Sequence, residues 1–221
     1  MKSVSVMRRV AGLALCLAVT ACASQGQAPD YTAFKAAKPR TILVLPPVNH
    51  TPDVNATNGL LSQMTLPLAE GGYYVVPVTL ETETFRQNGL SAPDEIIQAP
   101  AEKLRTTFGA DAALYTTITA YGSVYHVIDS NTIVTASAKL VDLKSGSVLW
   151  TGIGSAASSE KRQNSGGGIV GILVSAAMNQ VIDNLTDESL AEAGTAANRL
   201  LKVGPPNGLL YGPRSVKYGT D

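Results

Sequence analysis

The stretch that most constrains the fold is Thr41-Ile42-Leu43-Val44-Leu45, closed by Pro46-Pro47. It is apolar, rich in β-branched residues and has no polar alternation. Successive side chains of a strand point to opposite faces, so such a run must be buried on both. It belongs near the centre of an α/β sheet with helices on either side. Leu60, Leu61, Met64 and Leu68 follow at the spacing of one helical stripe. Thr57 is the expected N-cap, Pro67 should kink or shorten the helix end, and Gly71-Gly72 stops it. Tyr73 to Val76 then reads as a second short strand, closed by Pro77. Strand, helix and strand within about 35 residues have the size of a βαβ unit.

Farther along, Thr79–Gln87 and Asp94–Gln98 read as short helices. Pro100 opens another, with Leu104 and Phe108 on one face and Gly109 at its end. Ala112–Tyr121 is strand-like, with Leu114, Ile118 and Ala120 on one face. Thr132–Asp142 places Val134, Ala136, Ala138 and Leu140 together. Lys144-Ser145-Gly146 is a tight turn, and Ser147–Ile153 returns to form a hairpin. Trp150, the single tryptophan, should pack over the sheet edge or a helix. Ser155–Ser165 is polar and irregular, and Gly166-Gly167-Gly168 leads into a helix-compatible run over Ile169–Ile182. Thr186 begins a last helix with Leu190, Ala193, Ala197 and Leu200/Leu201 on its stripe. Residues 204–221 hold Gly204-Pro205-Pro206 and Gly212-Pro213, so an irregular tail is expected.

The N-terminus is of another kind. Lys2, Arg8 and Arg9 precede an apolar run from Val10 to Val19, and Thr20-Ala21 then leads to Cys22. A basic start, a short apolar run and a small-residue exit are the parts of an export signal. The run is too short for a hydrocarbon core, which needs about 20 helical residues. Val19-Thr20-Ala21-Cys22 resembles a bacterial lipobox, which implies cleavage between Ala21 and Cys22 and lipidation of Cys22. Residues 1–21 are then the signal, 22–39 a lipidated flexible tether, 40–203 a single α/β periplasmic domain and 204–221 the tail. Cys16 leaves with the signal, so no pair remains for a disulfide and the core alone must hold the domain. Several acyl chains, at roughly 0.8 kcal/mol per buried methylene, anchor a protein durably. Ala23, in place of an acidic residue after the cysteine, resembles the pattern of outer-membrane lipoproteins. That implies an anchor in the outer membrane facing the periplasm, with surface exposure as the alternative.

Three stretches also resemble the CsgG and TolB N-terminal-domain group of envelope proteins. They are Thr41–Asn49 with Thr51 behind it, Phe108-Gly109-Ala110-Asp111-Ala112-Ala113-Leu114, and Val141-Asp142-Leu143-Lys144-Ser145-Gly146-Ser147-Val148-Leu149-Trp150. The chain from about 40 to 200 resembles still more closely a family of bacterial lipoproteins of unknown function. The resemblance implies an α/β fold: a mixed sheet with flanking helices. It implies no enzymatic activity and no catalytic residue. It implies partners among other envelope lipoproteins, including a CsgG-like protein, beside which such proteins are often encoded. A homo-oligomer is a further expectation. A pore is not, because Ser155–Gly168 is too polar and glycine-rich for membrane-spanning strands of about 9–11 alternating residues.

The residues themselves offer little chemistry. Gly166-Gly167-Gly168-Ile169-Val170-Gly171 satisfies a dinucleotide pattern literally, but a polar loop precedes it where a strand is required. His50 and His126 stand in no metal spacing, so neither a metal nor another cofactor is expected. There is no Gly-x-Ser-x-Gly elbow. Asp94-Glu95 and Asp187-Glu188 fall in first helical turns, where carboxylates favour the helix dipole. Removing Lys2, Arg8 and Arg9 from 17 Lys+Arg against 17 Asp+Glu leaves a net charge of −3, which with the compartment excludes nucleic acid as a partner. The expected function is that of an anchored envelope lipoprotein acting through protein contacts. The alternative is a periplasmic binding module for a small ligand or cell-wall polymer. Two candidate contact regions follow. Asn49 and His50 form a polar loop after a strand end, where α/β sheets often bind ligands. Ile169, Val170 and Leu173 crowd a segment more apolar than a surface helix needs.

Overall fold

The computed structural model describes residues 29–126, 129–162 and 187–221. Ala21, Cys22, Ile169, Val170 and Leu173 lie outside them. The elements in order are α1 (Thr32–Ala37), β1 (Thr41–Val44), β2 (Val48–Asn49), α2 (Ala56–Glu70), β3 (Tyr74–Val75), α3 (Val78–Gln87), α4 (Pro93–Ile96), α5 (Ala101–Phe108), β4 (Ala112–His126), β5 (Asp129–Asp142), β6 (Val148–Ala157), α6 (Ser159–Arg162) and α7 (Asp187–Leu200). The sheet is mixed, in the order β3-β1-β4-β5-β6, with β2 pairing β4 beyond β1. β3 is parallel to β1, and β1 and β2 are parallel to β4. β4, β5 and β6 are antiparallel. The mixed α/β sheet with flanking helices read from the sequence is the observed fold. No helix among the described residues is long and apolar enough to cross a membrane.

The apolar run at Ile42–Leu45 does what its pattern requires. Ile42 and Val44 face one core, Leu43 and Leu45 the other, and all four are fully buried. The first core lies under α1, α2 and α7 and spans the sheet from Ile42 to Trp150 and Ala156. The second, under α3, α4 and α5, gathers Phe85, Ile96 and Leu104 against Leu43, Val76, Ala113 and Leu143. It covers only the β3–β1 side and the start of β4. Two carboxylates pin the junctions. Asp111 Oδ2 accepts the Arg40 and Thr41 amides at 2.9 and 3.0 Å, tying the end of α5 to the start of β1. Asp142 Oδ2 accepts the Ser145 amide and hydroxyl at 2.7 and 2.6 Å and shapes the β5–β6 turn. Gly146 supplies the φ of +74° that this turn needs.

Several local expectations are corrected. α2 begins at Ala56, and Thr57 does not cap it: its hydroxyl donates to the Pro47 carbonyl. The helix runs past Pro67, which is buried within it, to Glu70. In β4, a register shift between Ile118 and Ala120 turns Tyr121, not Ala120, into the core. β6 continues through Ala157, where an irregular segment was expected from Ser155. Its small residues are strand because α7 lies directly on them: a Cβ on Gly154 would stand 2.5 Å from the Ala196 carbonyl oxygen. On α7, Leu190 stays 39 % exposed, and Ala196 completes the buried stripe with Ala193, Ala197 and Leu200.

Both expected domain boundaries fall inside the packed unit. Residues 32–37 of the expected flexible tether form α1, which buries Phe34 in the first core. In the expected tail, Leu209 and Leu210 join the same core, and Leu209 and Gly204 exchange backbone bonds with their own loop. Trp150 Nε1 donates to the Asn207 carbonyl at 3.2 Å, fastening that loop to the sheet. The segment lacks helix and strand, as its prolines and glycines require, yet it is part of the core.

Candidate functional site

The second core stops partway across the sheet, and that leaves a surface. Beyond Tyr115, the outward positions of β4, β5 and β6 carry no helix among the described residues. The registers set Tyr115 beside Lys139 and Lys139 beside Thr151, then Thr117 beside Ser137 and Ser137 beside Ile153. Lys139 Nζ lies 5.3 Å over the Tyr115 ring, a cation–π contact at the border of the covered region. Burial there raises the Tyr115 phenol above its ordinary pKa. Thr135 and Ser155 share a hydroxyl–hydroxyl bond of 2.8 Å on the same face. Ile153 stands among these polar groups with 76 % of its surface exposed. A groove of about 1050 Å³ runs from this face around β6 to the Gly204–Gly208 loop.

The Asn49–His50 loop has a different character. His50 is exposed, and its backbone amide extends the β2 ladder by donating to the Ile118 carbonyl at 3.0 Å. Asn49 is spent on its own loop. Its Oδ1 accepts the Thr51 amide and hydroxyl, both at 2.8 Å, and its Nδ2 donates to the Asp53 carbonyl at 2.7 Å. That makes Asn49 a scaffold for the turn. Among the described residues there is no cluster of three His, Cys, Asp or Glu side chains placed to hold a metal. Asp94 and Glu95 occupy the first turn of α4. Glu188, near the start of α7, accepts the Thr132 hydroxyl at 3.0 Å and ties the helix to β5.

The exposed face was passed over in sequence reasoning. Its signal was the alternation Thr151, Ile153, Ser155 on the outward side of a strand, with one large apolar residue between two hydroxyl residues.

The model of a family described as "Putative lipoprotein GNA1162-like" matches residues 29–214. The chain belongs to this family. A GNA1162-like relative from Neisseria meningitidis serogroup B, "Putative lipoprotein NMB1124/NMB1162", is 48% identical over 210 residues, covering 94% of this chain and 96% of the relative. The crystal structure of lipoprotein GNA1162 from Neisseria meningitidis superposes with a TM-score of 0.52 at 48% identity, covering 54% of this chain and 83% of that one. The resemblance to a bacterial lipoprotein family read from the sequence is therefore correct. The match spans α1, the whole sheet and most of the tail, the same extent over which the core is continuous.

Proposed function

We propose that this GNA1162-like chain is an envelope lipoprotein that works by protein–protein contact. The signal is cleaved between Ala21 and Cys22, Cys22 carries the lipid, and the domain faces the periplasm from the outer membrane. The family description supports the lipid anchor, and the lipobox-like Val19-Thr20-Ala21-Cys22 supports the site. The observation that carries the contact reading is the one-sided covering of β4–β6. One face is packed along its whole width, while the other presents Ile153 and a hydroxyl-rich surface. A small apolar centre in a polar surround is the composition of a contact patch on a stable fold. The partner we propose is another envelope lipoprotein of the CsgG-like kind, with this chain as an accessory or assembly component.

Three measurements test separate parts. Cys22→Ser abolishes incorporation of radiolabelled fatty acid and releases the domain from the membrane fraction; continued labelling removes the anchor assignment. Sedimentation of wild-type membranes places the protein with the outer membrane; recovery with the inner membrane overturns the inference from Ala23. For the partner, cross-linked envelopes yield a CsgG-like lipoprotein in fixed ratio with this chain. Its absence from the cross-linked material rejects that partner.

A further inference from the structure

A second cavity lies between α1 and the end of the tail, past the Gly204–Gly208 loop that borders the sheet groove. It measures about 310 Å³, at the lower end of the range for small-molecule pockets. Phe34, Tyr73, Tyr211 and Tyr218 supply four aromatic walls, and Lys35 and Lys38 supply amines. The walls are fixed. The Tyr73 hydroxyl donates to the Leu210 carbonyl at 2.5 Å, the Tyr211 amide donates to Asp221 Oδ2 at 2.6 Å, and Lys35 Nζ donates to the Asp221 main-chain oxygen at 2.7 Å. Phe34 and Tyr73 are buried, whereas Tyr218 is 47 % exposed and stands at the mouth.

Lys38 is the telling residue. It closes α1 in the left-handed region at φ +47°, and it is the one non-glycine with positive φ among the described residues. Glycine adopts that cap conformation without strain and is the usual residue there. The chain instead places a lysine that lines the cavity and whose amine has no partner among the described residues. Lys217 lies nearby, its Nζ 5.6 Å over the Tyr211 ring. Asp221 is the one acidic side chain lining the cavity, against Lys35, already bonded to the Asp221 main-chain oxygen, Lys38 and the nearby Lys217. An aromatic chamber with an excess of cations at its mouth complements an apolar body that bears a negative group.

We propose that this cavity binds an anionic amphiphile, with its apolar part against the four rings and its phosphate or carboxylate held by Lys38. Neither the sheet groove nor the lipid anchor is needed for this site. The test uses the full-length chain in neutral maltoside micelles, titrated with dihexanoyl phosphatidylglycerol and read by native mass spectrometry. Saturable binding of a single lipid is expected. Dihexanoyl phosphatidylcholine, with the same chains and no net charge, and inorganic phosphate, with no chains, should bind far more weakly. Loss of one charge-assisted contact in Lys38→Gly weakens the phosphatidylglycerol complex by roughly tenfold. Lys38→Arg retains it. Because glycine relieves the strained φ, Lys38→Gly keeps or raises the unfolding temperature, so its lost binding is separable from lost folding. Equal affinity for phosphatidylcholine, equal affinity for inorganic phosphate alone, or unchanged binding by Lys38→Gly each overturns the proposal.

Discussion

The two halves of the sheet follow different rules. On the β3–β1 side both faces are dry, so β1 needs apolar residues from Ile42 onward, and Ile42, Leu43, Val44 and Leu45 are all fully buried. On the β5–β6 side the described residues pack only one face. There β5 alternates, with Val134, Ala136, Ala138 and Leu140 inward and Thr135, Ser137 and Lys139 outward. The first pattern is set by the need to bury two surfaces, the second by the need to bury one and keep the other wet. The half that folding uses twice leaves neither face of its sheet open among the described residues. The half that folding uses once keeps a free surface, and Ile153 stands on it.

The largest contrast is between Leu43 and Ile153. Leu43→Ala removes a fully buried side chain from the second core. It should lower stability by about 4 kcal/mol, the transfer loss plus an incompletely collapsed cavity. Urea unfolding measures it. A loss below about 1 kcal/mol, the size of an ordinary surface change, would mean the second core is loosely packed and the comparison between halves fails.

Glu81 sharpens the same comparison from within the doubly covered half. It lies on α3, is 1 % exposed, and neither carboxylate oxygen has a hydrogen-bond partner among the described residues. Burial pushes its carboxyl up to about 9 from the ordinary 4.5. The sign follows directly. Below 4.5 the group is protonated in both states and costs nothing in charge. Between 4.5 and 9 the folded protein holds a proton that the unfolded chain releases, so stability falls as pH rises, until the loss is complete above the folded pKa. At pH 7 the loss amounts to about 3 kcal/mol relative to acid. Glu81→Leu should therefore raise stability at pH 7 and flatten its dependence between pH 5 and pH 8. Urea midpoints across that window decide it: an unchanged slope would place the carboxylate in water and not in the core.

How much of this was legible depended on the range of the forces. The Asp142–Gly146 turn, the two-faced β1 and the inward set of β5 are written in residues a few positions apart, and those expectations held. Ala120 failed because a bulge one residue earlier exchanges the faces of the strand, and nothing local to Ala120 records that. The end of β6 failed because Gly154, Ser155, Ala156 and Ala157 have the composition of a loop. What makes them strand is the close approach of α7, which comes from residues about 40 positions away. Phe34 and Leu209 were assigned to a tether and a tail for the same reason. Their burial is contributed by each other's end of the chain, which a local pattern does not carry. At the candidate sites, Asn49 was noticed for being polar after a strand, but its polar atoms serve the turn. Ile153 was missed because its exposure is decided by where α3, α4 and α5 stop.

The smallest effect on stability is expected at Ile153, and the comparison is most exposed there. Ile153→Lys replaces a side chain that is 76 % in water, opposite Ser137 and on the uncovered face. Unfolding should shift by no more than about 0.5 kcal/mol, as for other surface changes. Partner contact should respond differently. Covering an isoleucine side chain with a partner removes apolar surface worth about 2 kcal/mol from water, whereas a lysine there must be desolvated or turned aside. A loss of about 2 kcal/mol corresponds to roughly thirtyfold weaker association. The paired measurement is the urea midpoint beside recovery of the cross-linked envelope partner. An intact fold with undiminished recovery would move the contact off the β4–β6 face. A lowered urea midpoint would show that Ile153 is covered within its own domain, and the distinction between the two halves of the sheet would go with it.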